Sequence, residues 1–292
     1  MIDFKNGAEL LRLCQTNRLP ISEIMKAREH DLAETTEPEI MTKMKKVLEI
    51  MKNSASTPIA KPRPSMGGLI GGEARLVNQH LLAGKSVCGS LLSRAIAYSM
   101  AVLESNSSMG LIVAAPTAGS SGVVPGVLLA LKEEYHLSDD ALLPALFNAS
   151  AVGYLAMRNA TVAGAVGGCQ AEVGVASAMA ASAAVELMGG SPTQCLDSAS
   201  TALMNLLGLV CDPVGGLVEC PCQLRNTVGA ANALTAAELA LSGVRQLIPF
   251  DEMLETMHNV GRRIAPELRE TAKGGCATTP SGCAACASKH SG

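Results

Sequence analysis

Aromatic residues are nearly absent. Tryptophan does not occur, and three tyrosines and three phenylalanines make up 2% of the 292 residues. That excludes an interior built on large rings, so Ala, Leu, Val, Met and Gly must fill it, and small side chains let helices approach one another closely. Charge of one sign is also lacking. The 23 Lys and Arg against 26 Asp and Glu leave a formal net charge of −3. Neither nucleic acid nor a membrane surface is therefore an expected partner, whereas a small molecule or another protein is. A clean apolar run is missing too. Mean hydropathy is +0.26, yet LIVAAPTAGSSGVVPGVLLAL is interrupted by Pro, Gly and Ser short of the ~20 residues a membrane-spanning helix needs. The start, MIDFKNGAELLRLCQTNRLP, has no basic segment followed by an apolar stretch and a small-residue cleavage site. A cytoplasmic location is expected.

Alternating strand patterns and internal repeats do not stand out either. The dominant period is helical. In EPEIMTKMKKVLEIMKN the apolar Ile40, Met41, Met44, Val47, Leu48 and Met51 recur at three and four, with Pro38 in the first turn. Ser138 followed by two Asp reads as a cap and acidic first turn, with Pro144 expected to end or kink that helix. Residues 171–190 are apolar almost all round and stop at Gly189, as a buried central helix would. NTVGAANALTAAELALSG repeats the pattern. The fold class expected is mainly α, a helical domain over 1–275 with Gly-, Pro- and Cys-rich loops. Residues 276–292 lack periodicity and read as a mobile, Cys-containing tail. KPRPSMGGLIGGEA, residues 61–74, reads either as a linker or as a substrate loop.

Ten cysteines in a chain expected to stay in a reducing compartment suggest metal binding rather than disulfides. Cys169 in AVGGCQAE enters a helix, Cys211 opens a DPVGG turn, and Cys222 follows Pro221 before another helix. Outward-pointing N–H groups at such places stabilise a thiolate. Cys14, Cys88 and Cys195 fall within helical patterns and read as ordinary buried residues. APTAGSSG, residues 115–122, feeds a helix and offers a seat for an anion, a carboxylate rather than a phosphate because the GKS or GKT ending is missing.

APTAGSSGVVPG, GGCQAEVG and CDPVGGLVECPCQLRN, in that order within a resemblance that covers most of residues 60–275, resemble the α chain of the iron-sulfur L-serine dehydratases, also called L-serine ammonia-lyases. The resemblance implies a [4Fe-4S] cluster held by Cys169, Cys211 and Cys222, with one iron left open as a Lewis acid, and no pyridoxal phosphate. It implies dehydration and deamination of L-serine to pyruvate and ammonia, with substrate contacts from Ser65, Gly67, Gly68, Thr117, Ser120 and Ser121. Cys220 stands where an apolar residue is expected, so Cys220 and Cys222 remain alternatives for the third ligand. Among the five histidines only His80 lies outside charged helical stretches and the tail, which makes it the fallback base. A separate β chain is expected to complete the site and contribute a histidine. Other readings are a hydro-lyase acting on threonine or another 3-hydroxy acid, and a helical module holding structural zinc. Cys276, Cys283 and Cys286 lie on a segment long enough to fold back over the site.

Overall fold

The structure is a computed structural model that describes residues 2–287. Among these there are thirteen helices and no β-strand: α1 (Gly7–Asn17), α2 (Ile21–Ala33), α3 (Glu37–Ala60), α4 (Glu73–Leu82), α5 (Gly89–Ser107), α6 (Val123–Glu134), α7 (Asp139–Asn159), the single turn α8 (Gly164–Gly167), α9 (Val175–Leu187), α10 (Pro192–Asn205), α11 (Cys222–Leu241), α12 (Phe250–Gly261) and α13 (Pro280–Ala287). The mainly α expectation is met.

The long helices begin where their caps predict. Thr36 and Glu39 form a reciprocal capping box at α3, Ser138 accepts the Ala141 N–H at 3.2 Å at α7, and Ser191 with Gln194 repeats the box at α10. Pro144 does not end α7, which runs unbroken to Asn159. The proline lies on the exposed face of the second turn, so the carbonyl it leaves without a donor is on the solvent side.

At the centre stands α9. All eleven residues from Val175 to Val185 are buried, and eight of them are Ala or Ser. Helices α6, α7, α10 and α11 close around it. With so little side-chain bulk between axes, backbones rather than rings set the spacing. α7 is long and apolar enough to cross a membrane by composition, but two thirds of its most apolar window (67%) is spent inside this core.

Close approach has a cost that can be measured. A Cβ at Gly122 would collide with the Ser99 backbone carbonyl and come within 2.9 Å of Leu103 Cδ2. A carbonyl inside α5 cannot rotate away as a side chain can. Gly122→Ala is therefore expected to destabilise the chain by about 1–3 kcal/mol, at the upper end for such overpacking. Denaturant unfolding checks this, and an unchanged midpoint would mean that α5 and α6 are free to separate.

Candidate active site

The amino-terminal ends of α9 and α11 meet at one end of the bundle, and the predicted thiols lie there. Cys169 follows Gly168, whose φ of 75° suits glycine and whose Cβ would stand 2.8 Å from the Leu209 carbonyl oxygen. From Cys169 the chain enters α9 through a π-helical turn, Gln170–Gly174. Gln170 pins that turn, donating to the Met257 carbonyl at 2.8 Å and accepting the Gly208 N–H at 2.9 Å. Cys211 sits in a parallel bridge with Arg269, donating its N–H to Leu268 and accepting that of Glu270. Cys222 is the first residue of α11.

Cys169 and Cys211 are buried and Cys222 is half-buried. Burial first, then neighbouring negative charge, pushes Cys169 and Cys222 up to about 12 and raises Cys211 as well. The charges felt at Cys211 include Cys169 and Cys222, so the three thiols share one electrostatic neighbourhood, whereas Cys220 is felt at Cys222 and Cys276. Such a set of soft donors by itself resists ionisation; a bound cationic group would reverse that. Among the described residues no three His, Cys, Asp or Glu side chains gather tightly enough for a single ion. A four-iron cluster takes its thiolates on different irons, and two buried thiols with a half-buried third, not gathered for a single ion, fit it.

Two charged residues that sequence reasoning missed complete the centre. Glu172 accepts the Thr117 hydroxyl at 2.8 Å through Oε1, and its Oε2 lies 3.8 Å from Cys211 Sγ. Burial raises its carboxyl above the ordinary value, against the pull of the Thr117 hydroxyl. A Cβ at Gly164 would stand 3.1 Å from Cys211 Sγ and closer still to Glu172, so that glycine keeps the space open. Arg225 pairs with Asp212 at 2.6 Å and donates to the Val210 carbonyl at 2.7 Å, and its charge favours the Cys169 thiolate. Burial works against its charge, but Asp212 and the thiols outweigh that. Both were legible as spacing: Glu172 is three residues past Cys169 and Arg225 three past Cys222, one helical turn in each case.

Asp212 is only 2% exposed. Arg225→Leu would leave it buried without its cation, so a loss of about 3–5 kcal/mol is expected in the iron-free chain. Denaturant titration reads it directly, and a loss below about 1 kcal/mol would show that Asp212 finds water instead.

The loops expected to contact substrate both abut the 211–222 segment. Ser65 and Gly68 form a turn, with the Gly68 N–H on the Ser65 carbonyl. The Gly67 N–H is taken by Glu219 at 2.6 Å. Thr117 reaches Glu172, while Ser120 and Ser121 are fully buried and hold the turn, Ser121 donating to the Ala118 carbonyl at 2.8 Å. Asn226 fastens this loop to α11 by donating to Gly119 and accepting from Gly122. His80 is exposed in the last turn of α4, a helix packed on α5 and α3.

Cys14 and Cys195 are buried as expected, but Cys88 is exposed at the cap of α5, because the helix begins one residue after it. The expected tail, 276–292, is described as far as Ala287. Its first turn, Gly275–Thr278, is held by Asp212, which accepts the Cys276 N–H at 2.6 Å, and α13 packs on the Val214–Gly216 turn. His290 lies outside the described residues. A cleft lined by Cys88, Leu91, Leu131, Tyr135, Met188 and Leu234 opens twelve residues or ~18 Å along α11 from Cys222. Cys169, Cys211, Cys222, Glu172 and Arg225 do not line it.

The family model for the serine dehydratase alpha chain matches residues 16–277. The chain is 43% identical over 279 residues to a protein named probable L-serine dehydratase, alpha chain, of Bacillus subtilis, covering 96% of this chain and 93% of that one. It is 41% identical over 274 residues to the L-serine dehydratase alpha chain of Peptoniphilus asaccharolyticus, covering 94% of each. With an L-serine dehydratase of Helicobacter pylori it shares 37% identity over 289 residues, 95% of this chain but 62% of the longer relative.

Proposed function

The chain belongs to the serine dehydratase alpha chain family, and we propose on that premise that it is the catalytic subunit of an L-serine ammonia-lyase, converting L-serine to pyruvate and ammonia in the cytoplasm. The observation that carries this reading is the meeting of three thiols, Glu172 and Arg225 with the two small-residue loops at one end of the bundle. Cys169, Cys211 and Cys222 would hold a [4Fe-4S] cluster, and Arg225 beside Cys169 offsets the negative charge of three thiolates. When bound, the cluster supplies a Lewis acid for the leaving hydroxyl.

The chain's own part is binding and orientation. Thr117 is held by Glu172 and faces the thiol side of its loop, and the 65–70 turn supplies the second wall for the substrate. Removal of the Cα proton and departure of the Cβ hydroxyl as water leave aminoacrylate. This tautomerises to the imine, whose hydrolysis releases ammonia and pyruvate. The base would come from a separate β chain, a reading supported by relatives that are themselves named alpha chains.

Anaerobic reconstitution of the chain and its partner with iron and sulfide tests the whole reading. L-Serine should yield pyruvate, faster than L-threonine yields its oxo acid. Activity should fall in air and return with ferrous iron and a thiol reductant, since an iron without a thiolate is the exposed corner. Undiminished turnover after hours in air would exclude an open iron, and preference for threonine would reassign the substrate.

A further inference from the structure

We infer that Glu219 is a positioning residue, which fixes the 65–70 loop to the segment carrying Cys211 and Cys222. The inference rests on the functional reading above for what the loop does, and on geometry alone for how it is held.

Backbone donors in the loop can be followed one by one. The Ser65 N–H goes to Ile70 O and that of Met66 to Ser107 O; Gly68 donates to Ser65 O and Ile70 to Ser65 Oγ. Gly67 and Leu69 remain, and both donate to one carboxylate, at 2.6 Å to Glu219 Oε1 and 2.9 Å to Oε2. Each oxygen takes one N–H, and the side chain belongs to a residue only 2% exposed. Charged acceptors on backbone N–H groups make roughly twice the bond of neutral ones.

The fit also explains a glycine. A Cβ at Gly67 would stand 2.7 and 2.8 Å from the two Glu219 oxygens, so only a residue without one lets the carboxylate lie flat on the loop. Glu219 is in turn geared to the cluster segment, since its carbonyl accepts the Gln223 N–H at 2.9 Å in the first turn of α11, next to Cys222. At the far end of the same loop, buried Glu104 accepts from Ala74 at 2.9 Å and from Gln223 at 3.0 Å. Two glutamates thus tie one wall of the site to the residues flanking Cys222. With Gly67 and Gly68 at its tip and Met66 exposed, the turn has little packing of its own to set its register, so these bonds set it. With every backbone N–H from Ser65 to Ile70 already occupied, what the loop offers a substrate is the placement of the Ser65 hydroxyl.

Glu219→Gln and Glu219→Asp test this. Gln keeps one acceptor but turns an NH2 toward the second N–H, and Asp is too short to reach both. In the reconstituted enzyme with its partner, KM for L-serine should rise about tenfold or more while kcat changes less than about threefold. Iron per chain and the cluster absorbance should stay at the wild-type level. Amide exchange at Gly67 and Leu69, measured on the chain without substrate, should quicken by about a hundredfold in both variants. An unchanged KM, or protection retained at those two amides, overturns the inference. A parallel fall of kcat and iron content with constant KM would make Glu219 a support of the cluster segment and overturn it equally. Should the wild type turn over no serine, the functional reading falls, while the exchange measurement still decides whether Glu219 holds the loop.

Discussion

Serine in place of Cys169, Cys211 or Cys222 is expected to leave a folded chain that retains no iron and forms no pyruvate from L-serine. The substitution removes little volume but exchanges a soft thiolate donor for a hydroxyl that stays protonated and binds iron poorly. Since the remaining two thiols cannot hold a four-iron cluster alone, the loss should be all or nothing rather than graded. Cys88→Ser, on the exposed cap of α5, should keep full iron content. Cys220→Ser is the sharper control. Cys211 feels Cys169 and Cys222, while Cys220 is felt at Cys222 and at Cys276. Retained iron in the Cys220 variant with none in the Cys222 variant supports the assignment; the reverse result moves the ligand to Cys220. Iron and sulfide analysis beside the visible spectrum decides it.

The second large effect is expected from the partner. Reconstituted alone, the chain should turn over L-serine at least about a hundredfold more slowly than with the β chain, the low end of what a positioned general base contributes. Three of the four described histidines are exposed, His80 and His30 on α4 and α2 and His136 just beyond α6, while His258 is half-buried on α12. Pyruvate formation with and without the partner measures the ratio. Equal rates would put the base in this chain, and His80→Ala would then show whether that residue supplies it.

The helices were readable because their apolar positions recur at three and four and because a cap such as Ser138 announces a start. The cysteines were readable because each of the three stands in a turn feeding a helix. What the sequence hid are the contacts that join segments remote in the chain. Thr117 and Glu172 are 55 residues apart, Gly67 and Glu219 are 152 apart, and nothing local to either member marks the other. Glu172 and Arg225 were legible only as a spacing of three from a cysteine, and nothing local marked Glu219. Cys88 misled for the opposite reason. Its place in a helical pattern suggested burial, but the chain there is the turn before α5, and a turn puts its residues outside.

The bond between Asp212 and the Cys276 amide closes a span of 64 residues, and the Cys211 bridge to Arg269 closes one nearly as long. During synthesis at roughly 5–20 residues per second, the segment bearing Cys211 emerges some 3–13 s before the residues that brace it. In that interval the thiols stand in an unfinished wall, open to stray metal and to oxidants. Iron delivered to a nascent chain would meet a site without its last side, whereas delivery to a released chain meets one already shaped. Topology thereby sets translation before closure of the carboxyl-terminal segment, and a cofactor that needs the finished wall would follow both.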